Sequence, residues 1–223
     1  MAKQDRAIRT RQTILAAAAK VFEEHGYQAA TITDVLNEAG VTKGALYFHF
    51  QSKDDLAQAV LAEQDQMLVA PTRPCKVQEV VDTTMLQAYR LQTDPMVRAG
   101  VRLTLDQQAI DLDRSGPFLR WTEVITGLLE EAQRQGELLP HVVLRETAEM
   151  IVGAFAGVQS MSQAISDYQD IGRRVAILLR HVLPNIVLPS VLVSVDLSAT
   201  RGDTVYAEAV ELRDAGVPAG SVA

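Results

Sequence analysis

A chain of 223 residues, 48% hydrophobic and 22% charged, holds enough apolar material for a real core and fits one large or two small domains. The formal charge of −7 excludes a uniformly basic nucleic-acid coat, and the single cysteine, Cys75, excludes a disulfide within the chain and suits a reducing cytoplasm. No apolar run reaches the roughly 18 residues of a membrane span, and the charged first residues are unlike a signal peptide.

Taken in chain order, the first predicted helix runs from Arg6 to His25, with Ile14, Leu15, Ala18, Val21 and Phe22 on one face, and stops at Gly26. The second is Thr31 to Ala39, where Ile32, Val35, Leu36 and Ala39 keep a helical spacing. Gly40 tolerates positive φ and ends it, Val41 plugs the corner, and Thr42 caps a short third helix, Lys43 to Phe48. Two helices joined by a tight glycine turn are the unit used for reading a DNA major groove. Gly44 and Ala45 keep part of the third helix small, while Lys43, Tyr47 and His49 can reach phosphates or base edges. An ordinary helical hairpin predicts no basic neighbourhood. Here residues 1–20 carry Lys3, Arg6, Arg9, Arg11 and Lys20 against Asp5 alone, a local +4. Residues 1–53 hold seven Lys and Arg against five Asp and Glu, and the remainder holds 14 against 23, so a basic end joins an acidic body. That asymmetry is the footprint of phosphate binding at one end.

Ser52, with Asp55 three residues on, starts a fourth helix running through Leu56, Val60 and Leu61 to about Leu68. A helix of that length spans about 24 Å, enough to link the reading helix to the body and transmit a signal between them. VAPTRPCK, residues 69–76, is the best linker candidate. Further helices are predicted over 76–92, 95–110 (with Asp94 and Pro95 at its start), 117–135 (with Gly136 beyond), 144–166, 170–183 and 189–215, the last with a break near Ser198. NIVLPSVLVSV is β-branched but sits in a helical context and is assigned to helix. The fold class is therefore all-α.

The stretch 150–165 is rich in small residues, Gly153, Ala154, Ala156, Gly157, Ser160 and Ser162, which either let helices approach closely or leave room for a ligand. Within such a body Leu86, Phe118, Trp121, Phe155 and Val158 are candidate apolar walls. Gln64, Gln159, Ser160 and Ser162, with Thr126 and Tyr89, are candidate polar anchors, although each taken singly fits packing or solvation as well. No catalytic or metal constellation is seen. The four histidines, His25, His49, His141 and His181, lack ligand spacing, GALYF lacks the ending of a phosphate loop, and Cys75 stands alone beside proline. No catalytic residue, cofactor or metal is expected, and the protein is expected not to be an enzyme. A helical small-molecule enzyme that happens to carry a hairpin is the different-class alternative, which specific DNA binding without turnover would exclude.

The strings TRQTILAAAAKVFEEHGYQAATI, AGVTKGALYFHF and SKDDL, within residues 8–56, resemble the DNA-binding domain of the TetR family of bacterial transcriptional repressors. MAKQDRAIRTRQTIL, VTKGALYFHFQSK, RAGVRL at 98–103 and GPFLRW at 116–121 are similar to the γ-butyrolactone autoregulator receptors within it. The resemblance implies a helix-turn-helix domain over residues 1–53 and a ligand-binding and dimerisation domain over 54–223. It implies a cytoplasmic homodimer that binds a double-stranded operator through Arg6, Arg9, Arg11, Thr31, Thr33, Thr42, Lys43, Gly44, Ala45, Tyr47, His49 and Lys53. It also implies release by a small lactone-type effector, with Trp121 at the position of the subgroup's pocket tryptophan, control of antibiotic production or development, and a four-helix dimer bundle. An antibiotic or other hydrophobic compound as effector is the milder alternative.

Overall fold

A computed structural model describes residues 2–63, 69–106 and 113–215. They are helical almost throughout: α1 (Ala2–Ala29), α2 (Ile32–Ala39), α3 (Lys43–His49), α4 (Lys53–Glu63), α5 (Lys76–Thr93), α6 (Pro95–Leu105), α7 (Ser115–Arg134), α8 (Leu144–Ser166), α9 (Ile171–Val182), the single turn α10 (Pro189–Leu192) and α11 (Arg201–Asp214). Two compact units are formed, one from α1–α4 with α6 and the start of α7, the other from α5, the rest of α7 and α8–α11.

In the first unit α1 is interrupted where the sequence placed its stop. Gly26 adopts φ 73° and ψ 176°, a region open essentially to glycine alone. The core joins Ile14, Leu15, Ala18, Val21 and Phe22 of α1 to Val35, Leu46 and Phe50 around the hairpin, and to Leu56, Ala57, Val60 and Leu61 of α4. Ala99 and Leu103 of α6 belong to the same core. Ion pairing reinforces it, since Arg98 pairs with Glu23, Arg102 donates to the Glu23 carbonyl, and Asp106 accepts the Tyr27 N–H at 3.2 Å. The boundary expected at 53/54 thus falls inside this unit. Burial of α4 and α6 against α1 places residues from both sides of that point in one core.

In the second unit α5 packs on α9 and α11, and α8 packs on α9. Gly202 of α11 sits so close to α5 that an added Cβ would lie 2.6 Å from the Met85 carbonyl oxygen. Asp82, fully buried, receives Arg201 through two bonds of 2.8 and 2.7 Å, Arg73 at 2.7 Å and Gln78 at 2.7 Å. The buried Glu137 carboxylate accepts the N–H groups of Lys76 and Val77 at 2.9 and 2.8 Å, an anion on the N-terminus of α5. Burial pushes the adjacent Cys75 thiol above its ordinary pKa.

Three predicted elements change. The break expected near Ser198 is present but wider than expected, since the 189–215 segment forms α10 and α11 separated by turns over 193–200. Pro189 holds Leu188 extended at ψ 136°, and the preceding residues pair with the α7–α8 connection, Leu188 N–H to Glu137 O and Leu139 N–H to Ile186 O, both 2.9 Å. The β-branched run therefore supplies an isolated bridge, Leu138 with Val187, followed by the single helical turn of α10, rather than a continuous helix. α6 ends at Leu105, with residues 107–112 outside the described ones, and α4 is described to Glu63, so its predicted far end, Gln64 to Leu68, is not covered. Among the described residues no helix is long and apolar enough to cross a membrane, and no His, Cys, Asp or Glu cluster is arranged to hold a metal.

Candidate nucleic-acid interface and ligand-binding body

The hairpin is built by local capping. Thr31 accepts the Asp34 N–H at 3.2 Å, and Asp34 accepts the Thr31 N–H at 3.0 Å and hydroxyl at 2.6 Å, a reciprocal capping box. Those donors hold the Asp34 carboxyl below its ordinary pKa, so it remains charged at the N-terminus of α2. Gly40 closes α2 in the left-handed region, φ 63° and ψ 31°, where a Cβ costs about 1–2 kcal/mol. Thr42 then accepts the Ala45 N–H at 3.2 Å and opens α3.

α3 has seven residues, far too few to be helical alone. Leu46 and Phe50, both buried, fix it to the core, each adding on the order of 1.5–3 kcal/mol. With those two inward, the opposite surface consists of Lys43, Gly44, Tyr47 and Phe48. Tyr47 is 44% exposed and Phe48 79%, edge-on to the half-buried His49 at 5.0 Å. The Lys43 ammonium lies 5.8 Å from the Tyr47 ring, and the exposed Arg11 guanidinium stands 5.2 Å over Phe50. Arg6, Arg9 and Thr33 are also exposed, and Ala45 is half-buried. An outward cation beside two aromatic faces on a capped helix can meet phosphates, deoxyriboses and base edges.

Two placements depart from the sequence reading. Lys53 is half-buried and donates to the carbonyls of Tyr27, Ala30 and Gln28 at 2.9, 3.2 and 3.5 Å, with its ammonium 4.4 Å over the Tyr27 ring. Its donors tie α4 to the end of α1 instead of facing outward. Phe48, exposed on the same surface, is not among the residues the sequence singles out. Its position two residues after Leu46 and two before Phe50, both inward, was the available signal.

In the second unit Phe118, Trp121 and Thr126 are half-buried on α7, and Phe155 and Val158 half-buried on α8, beside the buried Gln159 and Ser162. Leu86 and Tyr89 face α11, where Leu86 packs with Val205 and Tyr89 lies 4.7 Å from the Tyr206 ring. Ser162 and Ser166 donate to Asp170 at 2.7 Å each, and Arg174 reaches the same carboxylate at 2.7 Å, which holds it well below the usual range. Ser160 stands on the exposed side of α8 and donates to the Ala156 carbonyl, and Thr126 donates to the Thr122 carbonyl. Gln64 lies outside the described residues.

A capped hairpin with an outward polar and aromatic helix, followed by a separate helical body, defines a helix-turn-helix regulator. The family model for bacterial regulatory proteins of the TetR family matches residues 14–60, and that for the tetracyclin repressor-like C-terminal domain matches residues 76–188. The chain belongs to the TetR family. It is 37% identical to the A-factor receptor protein of Streptomyces griseus over 99% of this chain and 82% of that one. The structure resembles TylP, a TetR regulator from Streptomyces fradiae, at a TM-score of 0.85 and 44% identity, covering 92% of this chain and 99% of that one. It also resembles a γ-butyrolactone receptor described as ArpA-like, at a TM-score of 0.64 and 28% identity, covering 89% and 98%.

Proposed function

We propose that the protein is a cytoplasmic homodimeric repressor that holds a partly palindromic operator and is released from it by a γ-butyrolactone-type signal. The observation that carries this reading is the full-length similarity to the A-factor receptor, reaching across both the reading helix and the sensor body. Lys43 is the base reader, at the first position of α3, and Tyr47, Phe48, His49, Arg11, Arg9, Arg6 and Thr33 supply mainly backbone contacts. Thr31 and Thr42 act by capping, and Gly44 and Ala45 by letting the groove wall come close.

One α3 contacts too few bases for useful specificity, so a two-fold axis doubles the contacts and sets the half-site spacing. The surface suited to that axis is on α8 and α9. Met150, Met161, Ile165 and Ile177 are exposed there, with Gly153 and Gly157 between them, an apolar stripe that solvent would not favour on a lone monomer. The effector binds among Trp121, Phe118, Phe155 and Val158, and the protein turns nothing over. Because a ligand shifts an equilibrium only by its differential affinity, a 100-fold release of operator needs about 2.7 kcal/mol of coupling, and operator must weaken ligand binding by the same factor.

The test is titration of purified protein into labelled DNA from around its own gene, with and without a panel of γ-butyrolactones. Specific binding that a lactone reverses is the expected result. Specific binding reversed only by an unrelated hydrophobic compound overturns the lactone assignment, and turnover of a bound compound overturns the regulator assignment.

A further inference from the structure

One polar group in the sensor body has no counterpart in the fold. Gln87, on α5, is 7% exposed, and its Oε1 is the buried side-chain nitrogen or oxygen among the described residues that has no hydrogen-bond partner. Native interiors almost always pair such atoms, and an exception in an otherwise well-packed helix calls for a reason.

The position of Gln87 on α5 narrows the reason. One side of α5 is given to α11, through Asp82 on Arg201, Met85 against Gly202, and Leu86 and Tyr89 against Val205 and Tyr206. At 3.6 residues per turn, Val80, Thr84, Gln87 and Leu91 fall on the opposite side. All four are buried, and among the described residues α9 is the other helix packed closely along α5. The Thr84 hydroxyl is committed to the Val80 carbonyl at 2.7 Å. What remains on that side is an apolar wall with one unused acceptor.

We infer that Gln87 is a ligand-recognising residue and that the effector is an apolar molecule bearing a hydroxyl, which donates to Gln87 Oε1. This rests on the effector-sensing role proposed above for the C-terminal helices. Oε1 is sealed from solvent in this state, so a ligand that reaches it first displaces the side chains covering it. The hydrogen bond is therefore made only in the opened state, and an interaction confined to one state is what lets a ligand shift the population. The unpaired acceptor also weakens the closed state, so the same atom favours opening from both sides. Trp121 supplies bulk apolar contact in any state, whereas Gln87 discriminates by chemistry.

The experiment compares a hydroxyalkyl γ-butyrolactone with its O-methyl ether, which loses the donor and gains a methyl group, by calorimetry on the full-length protein and on Gln87→Met. That variant keeps the length and loses the acceptor, so that a preference due to the methyl group alone survives the substitution. The wild type should bind the alcohol roughly five- to tenfold more tightly than the ether, in keeping with one buried hydrogen bond. Gln87→Met should lose that preference through weaker alcohol binding, with ether affinity held. Its ligand-free Tm should be unchanged or higher, because no native bond is removed. Equal wild-type affinity for the two probes, a preference that survives Gln87→Met, or a lowered Tm with both affinities falling together overturns the inference and leaves the lactone reading standing. Failure of the wild type to bind either probe overturns both. Release of operator DNA by the alcohol in wild type but only at proportionally higher concentration in Gln87→Met gives a second, independent readout.

Discussion

Replacement of Lys43 by alanine separates the reading role proposed for it from the fold. Lys43 is exposed at the first position of α3, Thr42 continues to cap the helix, and Leu46 and Phe50 continue to anchor it. Alanine is a good helix former and no buried contact is removed, so thermal stability should stay within about 0.5 kcal/mol of wild type. Loss of a base contact costs about 1–3 kcal/mol per reading helix. Two copies on a palindromic site give about 2–6 kcal/mol, at least roughly 30-fold in affinity. The cost should fall on operator DNA far more than on scrambled DNA, because the lost contact is to base edges. Arg11→Ala provides the contrast. Its guanidinium is exposed beside Phe50, and its loss should weaken all sequences alike. It should also flatten the plot of log affinity against log salt by roughly 0.9 per protomer. Fluorescence anisotropy of labelled operator and scrambled duplexes over a salt series measures both effects. An unchanged ratio of operator to scrambled affinity in Lys43→Ala would refute the assignment of Lys43 as base reader.

Asp82→Ala removes a fully buried carboxylate shared by Arg73, Arg201 and Gln78. Breaking such a network costs about 3–5 kcal/mol, nearer the lower figure here since Arg73 retains Glu208. Urea unfolding, with proteolysis of α11 as a local probe, should show it, and a loss below about 1 kcal/mol would mean the network does not hold α11. Asp170 is depressed below the ordinary 3.8 by Arg174, Ser166 and Ser162, so its stabilising effect is full above that pH and lost as the pH falls through the depressed folded value. The stability gap between wild type and Asp170→Asn should therefore be constant from pH 5 to 7 and narrow in acid, and a gap that widens on acidification contradicts the sign. Trp121→Ala should abolish lactone release while leaving ligand-free operator binding intact, as release curves and anisotropy will report. Ile165→Glu places a charge on the apolar stripe of α8 and should yield monomers by sedimentation with a matching loss of operator affinity; an intact dimer locates the axis elsewhere.

What the sequence determined by itself is what neighbours in the chain decide. Thr31 with Asp34, Gly40, Thr42, Gly26 and Gly136 act within four residues, so the hairpin and several helix ends could be read before any fold was known. The outward placement of Lys43 and Tyr47 followed from the same periodicity. Tertiary structure decided whatever depends on residues far apart in the chain. Lys53 was a plausible phosphate contact until the end of α1 arrived beside it, 23 to 26 residues upstream, and claimed its donors. α6 carries the helical signal expected of it, but its membership in the DNA-binding unit rests on Ala99 and Leu103 entering the core of α1 and α4, reinforced by Arg98 and Arg102 meeting Glu23, contacts that no local pattern announces. Val187 and Leu188 became extended because the α7–α8 connection offered backbone partners at Leu138 and Glu137, overriding a helical context. Gln87 shows the limit most clearly: its letter is common on any helix, and only packing removed water from its carbonyl without supplying a donor. Capping and periodicity are local free energies and are written in the sequence, whereas burial and the pairing of buried polar groups are properties of the assembled fold.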